Sequence, residues 1–176
     1  MKYKSLISYR LQILGLLFFF GIISSTQADD KLRLANLPST STHQLNELAQ
    51  DNDWKVRQAI AMNRKTAEKT LAKLAQDERI EVRIAVCTNL STTNSIFKQL
   101  AIDKAEQVRS VVARFEYVSA EVMAILSNDK SPDIRLEAAR NWNTDIQTLK
   151  KLSKDEFEEV SNMAVRSLAA RKENKP

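Results

Sequence analysis

Large apolar residues recur along the chain with a 26-residue period, from residue 45 to residue 152. One column of such positions holds Leu45, Leu71, Phe97, Met123 and Leu149, and a second, three positions later, holds Leu48, Leu74, Leu100, Leu126 and Leu152. A small residue follows the second column, so each copy shows the i, i+3, i+4 spacing of one apolar helix face. This pattern predicts one short helix in every copy.

A second apolar pattern follows the first in every copy. It begins with a column that holds Val56, Val82, Val108, Ile134 and Val160. Each copy therefore predicts two helices of about two to three turns, which are marginal alone in water. Stacking on neighbours has to stabilise them, and a fixed period of this length indicates a solenoid. We expect an all-α protein, a short right-handed α-solenoid of about five 26-residue two-helix repeats.

The ends of the array and the starts of its helices are also visible. Residues 34–45 resemble residues 86–97 with one residue of slippage, so we expect residues 29–44 to form an N-terminal half-repeat cap. Residues 45–170 are then the repeat array, and residues 171–176 are a charged tail. Hydroxyl groups that can accept from an open backbone N–H predict the helix starts, with capping-box spacing in the last case. These residues are Thr66, Thr92, Ser119 and Thr144, the last paired with Gln147.

Aspartate and arginine each keep the same 26-residue step. The aspartates fall between the two helices of a copy, and the arginines fall one turn inside the second helix. Stacking would line them up, and a guanidinium group can bind a carboxylate through two parallel hydrogen bonds. Because such ion-pair networks perturb charges without doing chemistry, we interpret them as a structural ladder rather than as catalytic acids. Its predicted members are Asp51, Arg57, Asp77, Arg83, Asp103, Arg109, Asp129 and Arg135.

Positions that depart from the repeat are the candidates for function. The column of Met62 and Thr88 changes to arginine in its last three copies, which would form a cationic stripe. Such a stripe can bind an acidic peptide or an anionic surface, although runs of charge are commonly just solvated faces. Aromatic residues either mark a binding hot spot or fill gaps at the turns between repeats. The candidate partner-binding residues are Arg114, Arg140, Arg166, Trp142, Tyr117 and Trp54.

Two further residues stand out within their columns. Cys87 shares a small apolar column with Ala61, Ala113, Ala139 and Val165. We therefore expect a buried thiol, as free cysteines commonly are. Glu137 occupies a column that is otherwise apolar. We expect either an ion pair with Arg140, one helical turn away, or a local rotation of the helix.

The segment at positions 1–28 has the pattern of a targeting sequence. Lys2, Lys4 and Arg10 precede an apolar run at residues 11–23, and small residues follow as far as Ala28. This order is typical of a secretory signal peptide cleaved after Ala28, and the run is short for a membrane-spanning helix. We expect a periplasmic or secreted protein. The alternative is an uncleaved segment that anchors the chain in the inner membrane, and a membrane contact is expected only in that case.

Composition argues against catalysis, metal binding and cofactor binding. The chain has one cysteine and one histidine, which excludes a multi-cysteine zinc site or an iron–sulfur cluster. Both glycines, Gly15 and Gly21, lie in the leader, so an oxyanion-type site would be hard to assemble in the rest. The leader also holds three of the 27 basic residues and none of the 22 acidic ones. The remainder is nearly neutral, which disfavours nucleic-acid binding because that depends on phosphate neutralisation.

The repeat unit resembles a known family of helical repeats. VRQAIAMN and VRIAVCTN, at residues 56–63 and 82–89, are similar to the leucine-rich repeat variant, and the DxxxxVR core is shared with HEAT repeats. The resemblance covers about residues 36–170, although the usual proline after the asparagine is replaced by Arg64, Leu90, Glu116 and Trp142. It implies an ARM-type fold, and we expect an exported, non-enzymatic scaffold that binds a protein or peptide along an extended surface. The alternative is an enzyme or enzyme accessory, because some HEAT-like solenoids act as lyases or glycosylases.

Overall fold

A computed structural model describes residues 29–173, and helix is the regular secondary structure throughout that range. Helix α1 covers residues 29–36. Five short helices of equal length follow at intervals, namely α2 (Thr42–Leu48), α4 (Glu68–Leu74), α6 (Asn94–Leu100), α8 (Ala120–Leu126) and α10 (Ile146–Leu152). The alternating longer helices are α3 (Trp54–Met62), α5 (Ile80–Thr88), α7 (Glu106–Arg114), α9 (Pro132–Arg140) and α11 (Glu158–Glu173). The expected all-α repeat fold is confirmed.

Each 26-residue repeat consists of one short helix and the long helix after it. The long helices pack side by side in one layer, and the short helices pack against one face of that layer. Successive long helices contact one another more extensively than successive short helices do. In the range that the structure describes, no helix is both long enough and apolar enough to cross a membrane.

The apolar columns form one continuous core through the array. The column that begins with Val56 is buried in all five repeats, and so is the column that begins with Leu45. Burying one such side chain contributes about 1.5–3 kcal/mol, which compensates for the marginal stability of each short helix. Val165 belongs to the same column as the buried Cys87, but its own side chain is exposed. No further repeat within the described range follows α11 to cover it.

The threonines expected to cap the short helices mostly have a different role, and that part of the prediction is wrong. Only Ser119 is an N-cap, where its hydroxyl accepts from the backbone N–H of Val122. The threonines lie one position before the N-cap and donate to the main-chain carbonyl six positions earlier, near the end of the preceding long helix. These bonds join Thr40 to Leu34, Thr66 to Ile60, Thr92 to Val86 and Thr144 to Ala138. They fix each turn between repeats.

The predicted capping box at Thr144 is also absent, because Asp145 is the residue that caps α10. Its carboxylate accepts from the backbone N–H of Thr148 at 2.8 Å. A capping box is present at the start of α2, where Ser41 and Gln44 each accept from the backbone of the other. Helix α10 therefore begins one position later than the hydroxyl pattern predicted.

Helix α1 forms an incomplete repeat at the N-terminal end. Lys31 stands one full repeat before Arg57 and donates from Nζ to Oδ2 of Asp51 at 2.7 Å. Ala35, one full repeat before Ala61, is fully buried. The segment therefore continues the register of the array, and the one-residue slippage inferred from the sequence is wrong. A lysine takes the place of arginine, so the first aspartate still has a cationic partner.

Helix α11 closes the C-terminal end. It runs to Glu173, through the first residues of the predicted tail. From this extension the guanidinium group of Arg171 donates to the main-chain carbonyls of Asn141, Trp142 and Thr144. Ser161 occupies the position of the ladder arginine and is too short to reach an aspartate in a further repeat. The extended last helix takes over contacts that a next repeat would otherwise make.

Candidate functional site

The charged columns connect each repeat to the next. Arg83 donates from Nε to Oδ2 of Asp103 at 2.7 Å and from Nη2 to Oδ1 at 2.9 Å. Its Nη1 donates to the main-chain oxygen of Asp77 at 2.6 Å. The same geometry recurs in the pairs Arg57–Asp77, Arg109–Asp129 and Arg135–Asp155. The carboxylate of each aspartate, from Asp51 to Asp155, also accepts from the N–H two positions later.

The carboxylates of Asp77, Asp129 and Asp155 are engaged in structure. The hydrogen bond from Arg135 holds the pKa of Asp155 below its usual value, although burial opposes this. Burial acts to raise the pKa of Asp77 and of Asp129, but the hydrogen bonds from arginine and from the backbone outweigh it and lower the pKa. A carboxyl group with a lowered pKa is a poor proton donor at neutral pH. The column therefore joins repeats, and these three carboxylates are poor candidates for a general acid.

A second ladder, of asparagines, joins the turns that follow the long helices. Asn89 donates from Nδ2 to the carbonyl of Ala61 at 2.6 Å and to that of Asn63 at 2.9 Å. Asn141 makes the equivalent bonds to the repeat before its own, where the carbonyls of Ala113 and Phe115 accept. Sequence reasoning assigned no role to these asparagines, although their 26-residue spacing was a visible signal.

Phe115 interrupts this asparagine ladder in the third repeat. Its ring packs at 5.3 Å from the ring of Phe97 and at 5.8 Å from the ring of Tyr117, measured between centroids. Beside it a groove of about 520 Å³ opens along the turns after α7 and α9. Four of the candidate partner-binding residues line this groove, which we call the Arg–Trp groove: Arg114, Tyr117, Arg140 and Trp142. Glu116, Glu137, Asn141 and Asn143 contribute to its walls.

Glu137 holds the two arginines of the groove. Its Oε1 accepts from Nε of Arg114 at 3.2 Å, and its Oε2 accepts from Nη1 of Arg140 at 3.2 Å. The Glu137 side chain is 18% exposed, whereas both arginine side chains are more than half exposed. The neighbouring Ala138 and Ala139 remain fully buried, so α9 keeps the register of the other long helices. The presence of a carboxylate at this otherwise apolar position is explained by its pairing with Arg140 and not by a rotation of the helix.

The aromatic residues of the groove are exposed but held in place. Tyr117 is 73% exposed and Trp142 is 67% exposed. The guanidinium carbon of Arg171 lies 5.5 Å from the centroid of the Trp142 ring and covers part of it. Asn143 donates from Nδ2 to the carbonyl of Glu116 at 2.5 Å, which joins the two turns that form the groove.

Arg166 and Trp54 lie outside the Arg–Trp groove. Arg166 is exposed on α11, one repeat beyond Arg140 in the same column. Trp54 is half-buried at the start of α3, with the guanidinium carbon of Arg79 at 4.8 Å from its ring centroid. It therefore fills a gap at the opposite ends of the long helices, as one of the two sequence interpretations proposed. The structure brings four of the six candidates together.

Cys87 and His43, the other residues considered for chemistry, lie outside the Arg–Trp groove. Cys87 is fully buried, and burial, with a contribution from the charge of Asp103, raises the pKa of its thiol to about 12. Within residues 29–173 no cluster of three or more histidine, cysteine, aspartate or glutamate side chains is arranged to hold a metal ion. His43 is exposed on α2, 3.4 Å from a carboxylate oxygen of Glu47.

Comparison with known proteins finds no family model and no curated protein that matches this chain. The geometry of the Arg–Trp groove is therefore the main basis for a functional proposal.

Proposed function

We propose that this protein is a helical-repeat scaffold that binds a protein or peptide partner in the Arg–Trp groove. One observation carries the proposal: two exposed aromatic side chains and two exposed arginines converge in one groove, at the place where the repeat pattern breaks. Tryptophan, tyrosine and arginine are the residues that most often dominate binding energy at interfaces. The repeat itself has no need of them, because the buried columns and the charged ladder stabilise it.

The side chains of the groove are also held before any partner arrives. Glu137 fixes the two arginines, Arg171 covers one part of the Trp142 ring, and Phe115 packs against Tyr117. Ordering flexible side chains costs about 0.5–1.5 kcal/mol each on association. A groove whose residues are already ordered avoids part of that cost, and this supports a binding role over a solvated surface.

The wider assignment is part of the same proposal. The two-helix repeat with its DxxxxVR core supports membership of the leucine-rich repeat variant or HEAT-like class. The leader, residues 1–28, lies outside the described residues, and its sequence supports export to the periplasm or beyond. The partner is accordingly sought among envelope and secreted proteins. We propose that the protein acts on that partner by binding and not by catalysis.

The test is capture of a partner by the full chain, produced with its own leader and a C-terminal affinity tag. The test variant combines Arg114→Gln, Arg140→Gln and Trp142→Ala. Truncating a hot-spot residue costs about 2 kcal/mol or more, which corresponds to roughly a thirtyfold loss of affinity. We expect a stoichiometric partner in the wild-type eluate and its loss with the triple variant.

A matched control carries the same number of changes on other surfaces. It combines Lys69→Gln and Lys73→Gln on α4 with Ile102→Ala at the opposite turns, all three of which are exposed. We expect this variant to retain the partner. Equal capture by the wild-type chain and the groove variant would show that the partner binds elsewhere and would overturn the proposal.

A further inference from the structure

We propose that the Arg–Trp groove, together with the neighbouring Arg166, recognises an acidic peptide segment in the extended polyproline II conformation whose carboxylates stand three positions apart. The proposal rests on the proposed function and specifies the chemistry of the partner. It follows from the spacing of the arginine column, from the way Glu137 holds two of its members, and from the position of the exposed aromatic residues.

The arginine column lies at one fixed position in three successive long helices. Arg114 ends α7, Arg140 ends α9, and Arg166 occupies the same position in α11. All three side chains are exposed. Packed helices lie about 8–10 Å apart, so the arginines form a row with about that pitch along the layer of long helices. Cations in a regular row complement a ligand that carries carboxylates at a matching interval.

Glu137 turns the first two arginines into a paired site. It engages only Nε of Arg114 and Nη1 of Arg140. A guanidinium group has five N–H donors, and among the described residues these two groups donate no other hydrogen bond. The remaining donors can bind carboxylates of a ligand through two parallel hydrogen bonds. Arg166 forms no ion pair within residues 29–173, since Met163 stands where Glu137 stands in the preceding repeat.

The pitch of the row selects the conformation of the ligand. A polyproline II chain advances about 3.1 Å per residue and has three residues per turn, so side chains three positions apart share one face and lie about 9 Å apart, within one repeat of 8–10 Å. An α-helix advances only about 4.5 Å over the same roughly three residues and would place the same carboxylates at half the required distance. A polyproline II segment with acidic residues at i, i+3 and i+6 therefore matches the row. Tyr117 and Trp142 offer exposed apolar surface beside this row.

The experiment uses three synthetic twelve-residue peptides of identical composition, each with three glutamates, one leucine and an N-terminal dye. The glutamates are spaced by two, three or four positions. Fluorescence anisotropy measures their binding to the full chain at fixed ionic strength. We expect the three-position spacing to bind about tenfold more tightly, because two misplaced carboxylates each lose roughly a factor of three at an exposed ion pair.

Variants assign the spacing preference to the groove. Arg140→Gln removes the central cation, and we expect it to weaken the best peptide and abolish its advantage. Lys104→Gln removes an exposed cation at the opposite turns and should leave both unchanged. Glu137→Ala removes both acceptor oxygens, frees the two arginines and makes the groove more positive. We expect tighter or equal binding of all three peptides with loss of the spacing preference; a preference retained in this variant would contradict the positioning role of Glu137.

The outcomes separate this inference from the proposed function. Equal binding of all three peptides, still lost in Arg140→Gln, would overturn the spacing while leaving a groove that binds acidic partners. Binding to vesicles of anionic phospholipid, with no binding of any peptide, would overturn the peptide as the ligand. A captured partner that depends on the groove, together with no peptide binding, would refute only the present inference. Capture that is indifferent to the groove would refute the proposed function as well.

Discussion

Replacement of Arg83 by glutamine tests whether the charged ladder holds the repeats together. The guanidinium group of Arg83 donates two hydrogen bonds to Asp103 and two to the main-chain carbonyls of Asp77 and Glu78. The Arg83 side chain is 3% exposed and that of Asp103 is 8% exposed. Glutamine is too short to restore these contacts. The variant would leave a buried carboxylate without its cation and two carbonyls without their donor.

The expected loss of stability is large for a single substitution. Removing one partner of a buried ion pair costs about 3–5 kcal/mol, because the other charge stays buried and unpaired. The whole free energy of unfolding of a domain this size is about 5–15 kcal/mol. With a urea m-value of about 2 kcal/mol per molar, a loss near 4 kcal/mol lowers the midpoint by about 2 M. Urea unfolding followed by far-ultraviolet circular dichroism measures this shift.

The matched control is Lys31→Gln at the end of the same ladder. Lys31 forms one contact to Asp51, and its side chain is 39% exposed. Solvent screening limits an exposed pair of this kind to about 1 kcal/mol or less. A double-mutant cycle with Asp103→Asn then isolates the pairwise free energy between Arg83 and Asp103. A loss below about 1 kcal/mol in Arg83→Gln, the range of an exposed pair, or no coupling in the cycle, would refute the ladder as a source of stability.

Three further predictions follow from buried groups. The pKa of Asp155 is lowered by the hydrogen bond from Arg135, so the stability that this carboxylate contributes is present at neutral pH and is lost as the pH falls below about 4. Urea titrations between pH 7 and pH 2.5 measure this loss. Asp155→Asn should flatten the dependence of the free energy of unfolding on pH. Cys87, whose thiol pKa is raised to about 12, should not react with a chromogenic disulfide reagent at pH 8 until urea unfolds the chain; immediate reaction in buffer would contradict its burial. Thr66→Val removes the donor to the carbonyl of Ile60 and should cost about 1–3 kcal/mol in thermal unfolding; an unchanged midpoint would show that this turn needs no such bond.

The repeat and its core could be predicted because both follow directly from periodic positions. A 26-residue step fixes which residues share an environment, and apolar columns then have to be buried. The partner of each ladder arginine could not be predicted from spacing alone. Arg57 stands near Asp51 in its own repeat and near Asp77 in the next. In the structure it binds the carboxylate of Asp77 and the backbone carbonyl of Asp51, which depends on the rise and twist between repeats.

The predicted hydrogen bonds of single side chains are wrong where a side chain has two possible partners close by. The hydroxyl of Thr66 could cap the next helix or donate to the end of the preceding one, and both lie within a few positions. The asparagine ladder was missed for a related reason, since an amide at a turn has many local acceptors and Asn89 reaches a different repeat. These choices depend on the path of the turn between repeats.

The candidate site could be predicted in part. Columns that break the repeat identified Arg114, Arg140, Tyr117 and Trp142, which share one groove. Trp54 lies at the other ends of the long helices, because a residue at a helix start and one at a turn after a helix end face opposite edges of the array. The bridging role of Glu137 required the distance between adjacent helices, which the sequence does not contain.

Hydrogen exchange on the captured complex tests the central claim most directly, since it reports which turns a partner covers. The Arg–Trp groove predicts slower amide exchange at residues 114–117 and 140–143 in the complex than in the free chain. Residues 102–104 and 128–130, at the opposite turns, should exchange at the same rate in both. Protection confined to those opposite turns, or to the short-helix layer, would contradict the groove as the binding surface.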